Sequence, residues 1–238
     1  MIESVLICIL QILVFMIDLK NELEILITQD NSPTILNKKI DETYHSSHGA
    51  LQESMHIFIK NGIEQINKNK IKVLEIGLGT GLNAALTLNF SEKSNKEIEY
   101  VALEPFSPSI KLLNELSEYF SKNISNNLKK INNSEWNIEN LLSPRFIFTK
   151  FNTRLQDFNI DIKFSIIYFD AFSPHKQPEM WIKEIFFKLY DLIEENGLLL
   201  TYSANGKVRR NLKEAGFKVF SSIGPPGKRE ITIAKKCL

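Results

Sequence analysis

The stretch that most narrows what this chain can fold into is Lys72–Gly81, KVLEIGLGTG, where an apolar run meets three glycines. Lys72–Ile76 reads as a strand and the residues after Gly81 read as a helix. A strand that passes through Gly77, Gly79 and Gly81 straight into a helix makes a tight turn and leaves backbone N–H groups facing a ligand. The next strand ends on an acid, Glu104 in the run Val101-Ala-Leu-Glu-Pro105, about 20 residues beyond the loop. A carboxylate there can accept hydrogen bonds from both hydroxyls of a ribose. Glu75, just ahead of the glycines, and Asn83, just behind them, complete the candidate cofactor set. A nicotinamide dinucleotide satisfies the same logic, although its pyrophosphate usually asks for G-x-G-x-x-G.

The remainder of the chain alternates in the same way. Strand signals at 100–104, 145–149, 165–170 and 198–202 interleave with helices at about 108–120, at 208–215 and along the face Trp181, Ile185, Leu189 and Leu192. Pro178 suits the first turn of that helix and Gly197 its C-terminal cap. Ser121–Asn140, rich in Asn, Lys and Ser, reads as a helix end followed by a solvated insertion. Lys218–Ser222 and Glu230–Ala234 flank Gly224-Pro225-Pro226-Gly227 as an antiparallel hairpin. The expectation is an α/β Rossmann-like fold whose seven-stranded sheet is mostly parallel, with one antiparallel strand from the C-terminal hairpin.

Ahead of the glycine loop, residues 18–66 read as a small cap. Leu23–Thr28 and Thr34–Leu36 are short strands around the turn Asp30-Asn31-Ser32-Pro33. A polar stretch, Asp41–Gly49, follows, and then an amphipathic helix carrying Leu51, Met55, Phe58, Ile59, Ile63 and Ile66. The division is therefore an extension over 1–17, a cap over 18–66 and the Rossmann-like domain over 67–238. Val5–Ile17 is a run of thirteen residues, apolar but for Gln11 and shorter than a spanning helix of about 20 residues, so no stable membrane insertion is expected. It lacks the basic start of a signal peptide, and Met16 is an alternative point of initiation ahead of the polar sequence from Asp18.

Lys and Arg total 29 against 28 Asp and Glu, a net charge of +1 that excludes a global field for a polyanion. Any nucleic acid is then held by local cations. Cys8 and Cys237 stand at opposite ends and form no metal or disulfide pattern, which points to a reducing, cytoplasmic setting. His45 and His48 lack the companions a metal would need, so no metal is expected.

Ile166–Trp181, IIYFDAFSPHKQPEMW, sets Asp170 at the end of an apolar strand and before a proline-bracketed loop. In open α/β sheets ligands bind at that edge. The whole pattern resembles the class I methyltransferases, with E-x-G-x-G-x-G as their S-adenosyl-L-methionine loop. The run Asp170-Ala-Phe-Ser-Pro-x-x-x-Pro-Glu-Met-Trp181 resembles the D-x-F-x-P-x-x-x-P-[DE]-x-W signature of the methyltransferase part of MnmC, also found stand-alone as MnmD. Asp41–Ser54, Val73–Asn83 and Tyr202–Phe217 with Lys228-Arg-Glu230 resemble other segments of that family, so the likeness spans about 22–234. It implies S-adenosyl-L-methionine-dependent methylation of the primary amine of 5-aminomethyl-(2-thio)uridine at tRNA wobble position 34, giving the 5-methylaminomethyl product. In the two-domain enzyme an FAD-dependent oxidase is fused to this part; 238 residues leave no room for it, so a free methyltransferase with no fused FAD-oxidase domain is expected.

An alkylammonium must lose a proton before its nitrogen can act as a nucleophile, and a carboxylate can orient it and take that proton. Asp170 is the candidate for this role. Tyr44, His45 and Glu53 are candidates for the pocket wall. His175, Lys176, Lys207, Arg209, Arg210, Lys213, Lys228 and Arg229 are candidates for phosphates around the anticodon loop. Class I methyltransferases often hold the adenine amino group with an acid after the third strand. Thr149–Arg154 offers Asn152 and Thr153 there instead, and Asp157 comes too late. Two rival readings share the loop and acids: an aminopropyltransferase of the spermidine-synthase type, and a nucleotide-binding scaffold without turnover.

Overall fold

The structure is a computed structural model that describes residues 22–237. Cys8, Met16 and the apolar run 5–17 lie outside the described residues. Three short antiparallel strands come first: β1 (Leu23–Ile27), β2 (Pro33–Asn37) and β3 (Glu42–Thr43). The turn between β1 and β2 is closed by Asp30, whose Oδ1 accepts from Ser32 N at 3.0 Å. Strand β3 falls inside the stretch read as merely polar.

The expected long helix after it is broken into three pieces. They are α1 (Ala50–Ser54), a π-helical turn (Met55–Lys60) and a 3₁₀ turn (Ile63–Gln65). Wider winding at 55–60 keeps Ile57, Phe58 and Ile59 buried side by side. These residues pack into the same core as Val73 and Tyr100 of the main sheet, so the interior runs on across residue 66.

The main sheet is built from β4 (Lys70–Ile76), β5 (Glu97–Leu103), β6 (Asn140–Ser143), β7 (Phe146–Phe151), β8 (Phe164–Phe169), β9 (Ile193–Thr201), β10 (Lys218–Ile223) and β11 (Glu230–Lys235). Its order is β10-β11-β9-β8-β4-β5-β7-β6, eight strands where the sequence suggested seven. The additional strand, β6, is a short antiparallel edge on β7 with a register shift between Leu141 and Ser143. The five strands from β7 to β9 are parallel, and β11 inserts antiparallel between β9 and β10. The order reverses between β4 and β8, which opens a crevice at their carboxyl ends.

Helices α2 (Leu82–Ser94), α3 (Ile110–Ser117), α4 (Lys122–Asn133), α5 (Lys183–Leu192) and α6 (Gly206–Glu214) cover the two faces. Period-two alternation splits each central strand between two cores. Ile71 and Val73 of β4 face one side with Leu86 and Phe148, while Leu74 and Ile76 face the other with Phe169, Ile185 and Leu212.

Two local expectations are corrected. Residues 122–133 form helix α4, with Leu128 and Ile131 fully buried, instead of a solvated insertion. The apolar spacing Ile124, Leu128, Ile131 was masked by asparagines, two of which are buried and hydrogen-bonded: Asn127 Nδ2 donates to Ala85 O and Asn132 Nδ2 to Thr80 O. Gly197 lies inside β9 and caps nothing, because α5 ends at Leu192 and runs directly into the strand. A Cβ there would sit 2.6 Å from Ile193 Cγ1, beside the register shift between β8 and β9. Among the described residues no helix is long and apolar enough to cross a membrane.

Candidate active site

Strands β4, β5 and β8 end together, and backbone hydrogen bonds carry the ladder one step into each following loop. Gly77 N donates to Leu103 O at 3.0 Å, Asp170 N to Ile76 O at 3.0 Å, and Glu104 N to Phe151 O at 3.0 Å. The glycine loop and the two acids are thereby held as neighbours. Over them lies a cavity of about 1760 Å³ whose lining includes Tyr44, His45 and Glu53 from the N-terminal segment.

Two positions of the loop resist a side chain. Gly77 has φ +89°, and a Cβ would stand 2.6 Å from Asp170 O; Gly79 has φ +53°, and a Cβ would stand 2.9 Å from Tyr44 Cδ1. Both line the cavity, whereas Gly81 begins α2 behind it, against Asn132. Glu104 holds the loop from the side: its Oε2 accepts from Gly79 N at 2.9 Å and its Oε1 from Phe106 N at 2.8 Å. Burial pushes this carboxyl up, and the two amides draw it back. Each oxygen keeps a second lone pair for a ribose hydroxyl. Leu78, Leu103, Phe106, Ile110 and Leu155 supply apolar wall, and Asn152, Thr153 and Gln156 supply polar groups in place of the missing acid. These acceptors, polar groups and apolar walls fit S-adenosyl-L-methionine, with Glu104 and the closely approachable backbone of Gly77 and Gly79 as the parts that would hold it.

Glu75 and Asn83 do not line the cavity. Glu75 points from β4 into the core beneath α2, where Tyr100 donates its hydroxyl to Oε2 at 2.9 Å. Asn83 Nδ2 donates to Glu75 Oε1 at 2.9 Å and to Asp170 Oδ2 at 2.8 Å, so one amide ties the buried acid of β4 to the acid that follows β8. Burial drives the Glu75 carboxyl well above its usual range, Asn83 opposes this, and the nearby Asp170 charge adds to it. Asp170 is pushed up to about 7, first by burial and then by the Glu53 charge, against the Asn83 amide and Lys228.

The loop after Asp170 is braced from four directions. Trp181 Nε1 donates to Phe172 O at 2.7 Å, Tyr202 Oη to Ala171 O at 2.9 Å, and Phe172 N to Gln177 Oε1 at 3.2 Å. Ser173 donates its N–H and hydroxyl to Glu42 at 3.0 and 2.9 Å. Tyr44 packs edge-on against Phe172, with ring centroids 5.0 Å apart. The signature residue Trp181 thus braces the turn that presents Asp170.

His45 is buried between two threonines: its Nδ1 lies 3.2 Å from Thr34 Oγ1 and its Nε2 3.4 Å from Thr80 Oγ1. Burial pushes it down to about 4, so at neutral pH it is an uncharged brace between β2 and the glycine loop. Glu53 accepts from Ser46 N at 2.8 Å and forms an ion pair with Lys228.

The expected phosphate patch is dispersed. Lys228 turns into the cavity. The Arg209 guanidinium is committed to Glu230 and Thr232, each at 3.0 Å, and to Ile231 O at 3.3 Å. Lys176 lies at the cavity rim, 4.0 Å from Asp41. His175, Lys207, Arg210, Lys213 and Arg229 are exposed and lie outside the cavity lining. The sequence reading passed over Lys150, a buried lysine in β7 that donates to Asn132 O at 2.7 Å and lies 4.6 Å from the Trp136 ring centroid. Burial lowers it to about 8. A lysine within the strand run FIFTKF is the available signal. Among the described residues no group of three or more His, Cys, Asp or Glu side chains is arranged to hold a metal.

Residues 111–237, more than half of the chain, match the profile of a family described as S-adenosyl-L-methionine-dependent methyltransferase. The chain is 31% identical over 206 residues to the tRNA 5-methylaminomethyl-2-thiouridine biosynthesis bifunctional protein MnmC of Campylobacter fetus subsp. fetus (strain 82-40), covering 83% of this chain and 33% of that protein. It spans about a third of the length of the curated MnmC proteins it matches. The crystal structure of MNMC2 from Aquifex aeolicus is similar with a TM-score of 0.73 and 26% identity, over 89% of this chain and 70% of that one. Spermidine synthase from Thermotoga maritima, at TM-score 0.58 and 16% identity over 90% of this chain and 69% of that one, shares the fold. With the glycine loop, Glu104 and Asp170 assembled on one crevice, the chain belongs to this family of S-adenosyl-L-methionine-dependent methyltransferases, related to MnmC.

Proposed function

We propose that this enzyme methylates the primary amine of 5-aminomethyl-(2-thio)uridine at wobble position 34 of tRNA, giving 5-methylaminomethyl-(2-thio)uridine. The observation that carries this reading is Asp170, a strand-end carboxyl pushed up to about 7 and hydrogen-bonded to Asn83, beside the cofactor loop. S-adenosyl-L-methionine, when bound, supplies a methyl group activated by a sulfonium. The chain supplies the rest. Asp170, ionised in part at neutral pH, attracts the substrate ammonium and takes one proton from its nitrogen, leaving a lone pair. With its affinity for protons near neutrality, it then releases that proton to water between turnovers. Asn83 and the braced turn through Trp181 hold the carboxylate in one orientation, which contributes by alignment. The segment ahead of residue 66 acts as a cap, closing the pocket with Tyr44, His45 and Glu53. Lys176 at the rim, with the exposed His175, Lys207, Arg210, Lys213 and Arg229, offers local charge to anticodon-loop phosphates, so tRNA affinity should fall with added salt.

Nucleoside mass spectrometry of wobble uridines, with and without the gene, tests the reading. Loss of the 5-methylaminomethyl nucleoside and accumulation of its aminomethyl precursor is the expected outcome. Unchanged wobble nucleosides would remove the proposal. Transfer of an aminopropyl group from decarboxylated S-adenosylmethionine to a polyamine would favour the synthase reading instead.

A further inference from the structure

The end of the cavity beside Asp170 already holds a primary ammonium, and it belongs to the chain. Lys228 sits at the tip of the β10–β11 hairpin, where its N–H donates to Pro225 O at 2.9 Å. Its Nζ forms an ion pair with Glu53 and lies 4.1 Å from the centroid of the Tyr202 ring. Glu53 is nearly enclosed, with 9% of its side chain exposed, and its other oxygen is fixed by Ser46 N at 2.8 Å. The Tyr202 ring is fixed in turn by its hydroxyl bond to Ala171 O, the residue after Asp170. The hairpin tip rests on the N-terminal segment, since a Cβ on Gly227 would overlap the His48 ring at 2.0 Å. A buried carboxylate and an aromatic face, both rigidly held, form the pairing that recognises an alkylammonium. The Lys228 side chain is 26% exposed, so its flexible stem has a route out.

The geometry points to Glu53 and Tyr202 as the subsite for the substrate ammonium, with Lys228 as its internal occupant, displaced when a primary amine enters. This rests on the reading of the substrate as a primary amine. Lys228 keeps the enclosed Glu53 paired while the pocket is free of substrate, which avoids an isolated buried charge. The substrate amine takes over both contacts and is delivered beside Asp170. The resident lysine then sets a threshold: only an ammonium carried by a tightly bound scaffold displaces it, and small free amines are refused.

Thermal unfolding of the full chain without tRNA tests this, with ethylammonium chloride as probe and tetramethylammonium chloride at equal ionic strength as control. In Lys228→Ala the subsite is vacated, and ethylammonium at ten times its Kd should raise Tm by about 3–5 °C. Tetramethylammonium keeps the ring contact but has no N–H to donate to Glu53, so it should raise Tm distinctly less. Wild type and the double variant Lys228→Ala/Glu53→Gln should respond to neither. No response in Lys228→Ala, an equal response to both salts, or a response surviving in the double variant would overturn the assignment. If Lys228→Ala does not fold, Lys228→Arg decides. An arginine holds Glu53 with two parallel bonds and yields less readily, so KM for the amine substrate should rise about tenfold with kcat little changed. A lysine serving only as a phosphate contact would leave KM near the wild-type value. The thermal arm uses no tRNA, so the cation subsite and the wobble-uridine reading can fail separately.

Discussion

Replacing Asp170 by Asn should stabilise the protein while removing its activity. The carboxyl stands near 7 in the fold against 3.8 in an unfolded chain. The folded state therefore holds its proton more tightly across that interval. Its contribution is fully present below pH 3.8 and is lost as pH rises through about 7. Three pH units correspond to about 4 kcal/mol against the ionised form. Asp170 keeps partial exposure to the cavity, and screening there reduces the cost to about 2 kcal/mol. Asn has the same shape, bears no charge and can still accept from Asn83. Chemical denaturation of both proteins from pH 5 to 8.5 is the assay. The variant should be the more stable at pH 8 by about 2 kcal/mol, which is about 4–8 °C in Tm for a chain of this size. The gap should narrow by about 1 kcal/mol at pH 5, and kcat should fall at least ~100-fold. A variant no more stable at pH 8, or a gap of equal size at both pH values, would refute the reasoning. Either result would mean that Asp170 ionises as an ordinary surface carboxylate.

Two further outcomes follow from the same geometry. Gly79→Ala places a Cβ 2.9 Å from Tyr44 at φ +53°, so it should cost about 1–2 kcal/mol of stability and lower S-adenosyl-L-methionine affinity at least ~10-fold by calorimetry; undiminished binding would show that the loop backbone does not face the cofactor. His45 should keep a neutral ring by NMR from pH 8 down to 5.5, and stability should drop only as pH falls from 6.5 towards about 4, because the folded site disfavours the proton. A midpoint near 6.5 would mean that the ring is solvated.

Local pattern was sufficient for the scaffold. Apolar runs ending in Gly77, Glu104 and Asp170 specify strands that stop at one sheet edge, and the loop glycines specify a turn with φ values other residues resist. Helix α4 was illegible because Asn127 and Asn132 look solvated until Ala85 O and Thr80 O are brought to them. Edge strand β6 was illegible because four residues with one exposed leucine carry no periodic signal.

The sequence by itself determined the strand–helix alternation of a mostly parallel sheet, the glycine loop and the identity of the strand-end acids, since each is written in residues that lie close together along the chain. Tertiary structure alone decided what those groups do to one another. Glu75 was read as part of a cofactor site, yet it is buried behind that site and reaches Asp170 only through Asn83. Lys228, by its sequence context a candidate phosphate contact, closes on Glu53, 175 residues away. Charge and hydrogen bonding act through space and depend on burial, and neither separation nor solvent exposure is written in the spacing of residues along the chain.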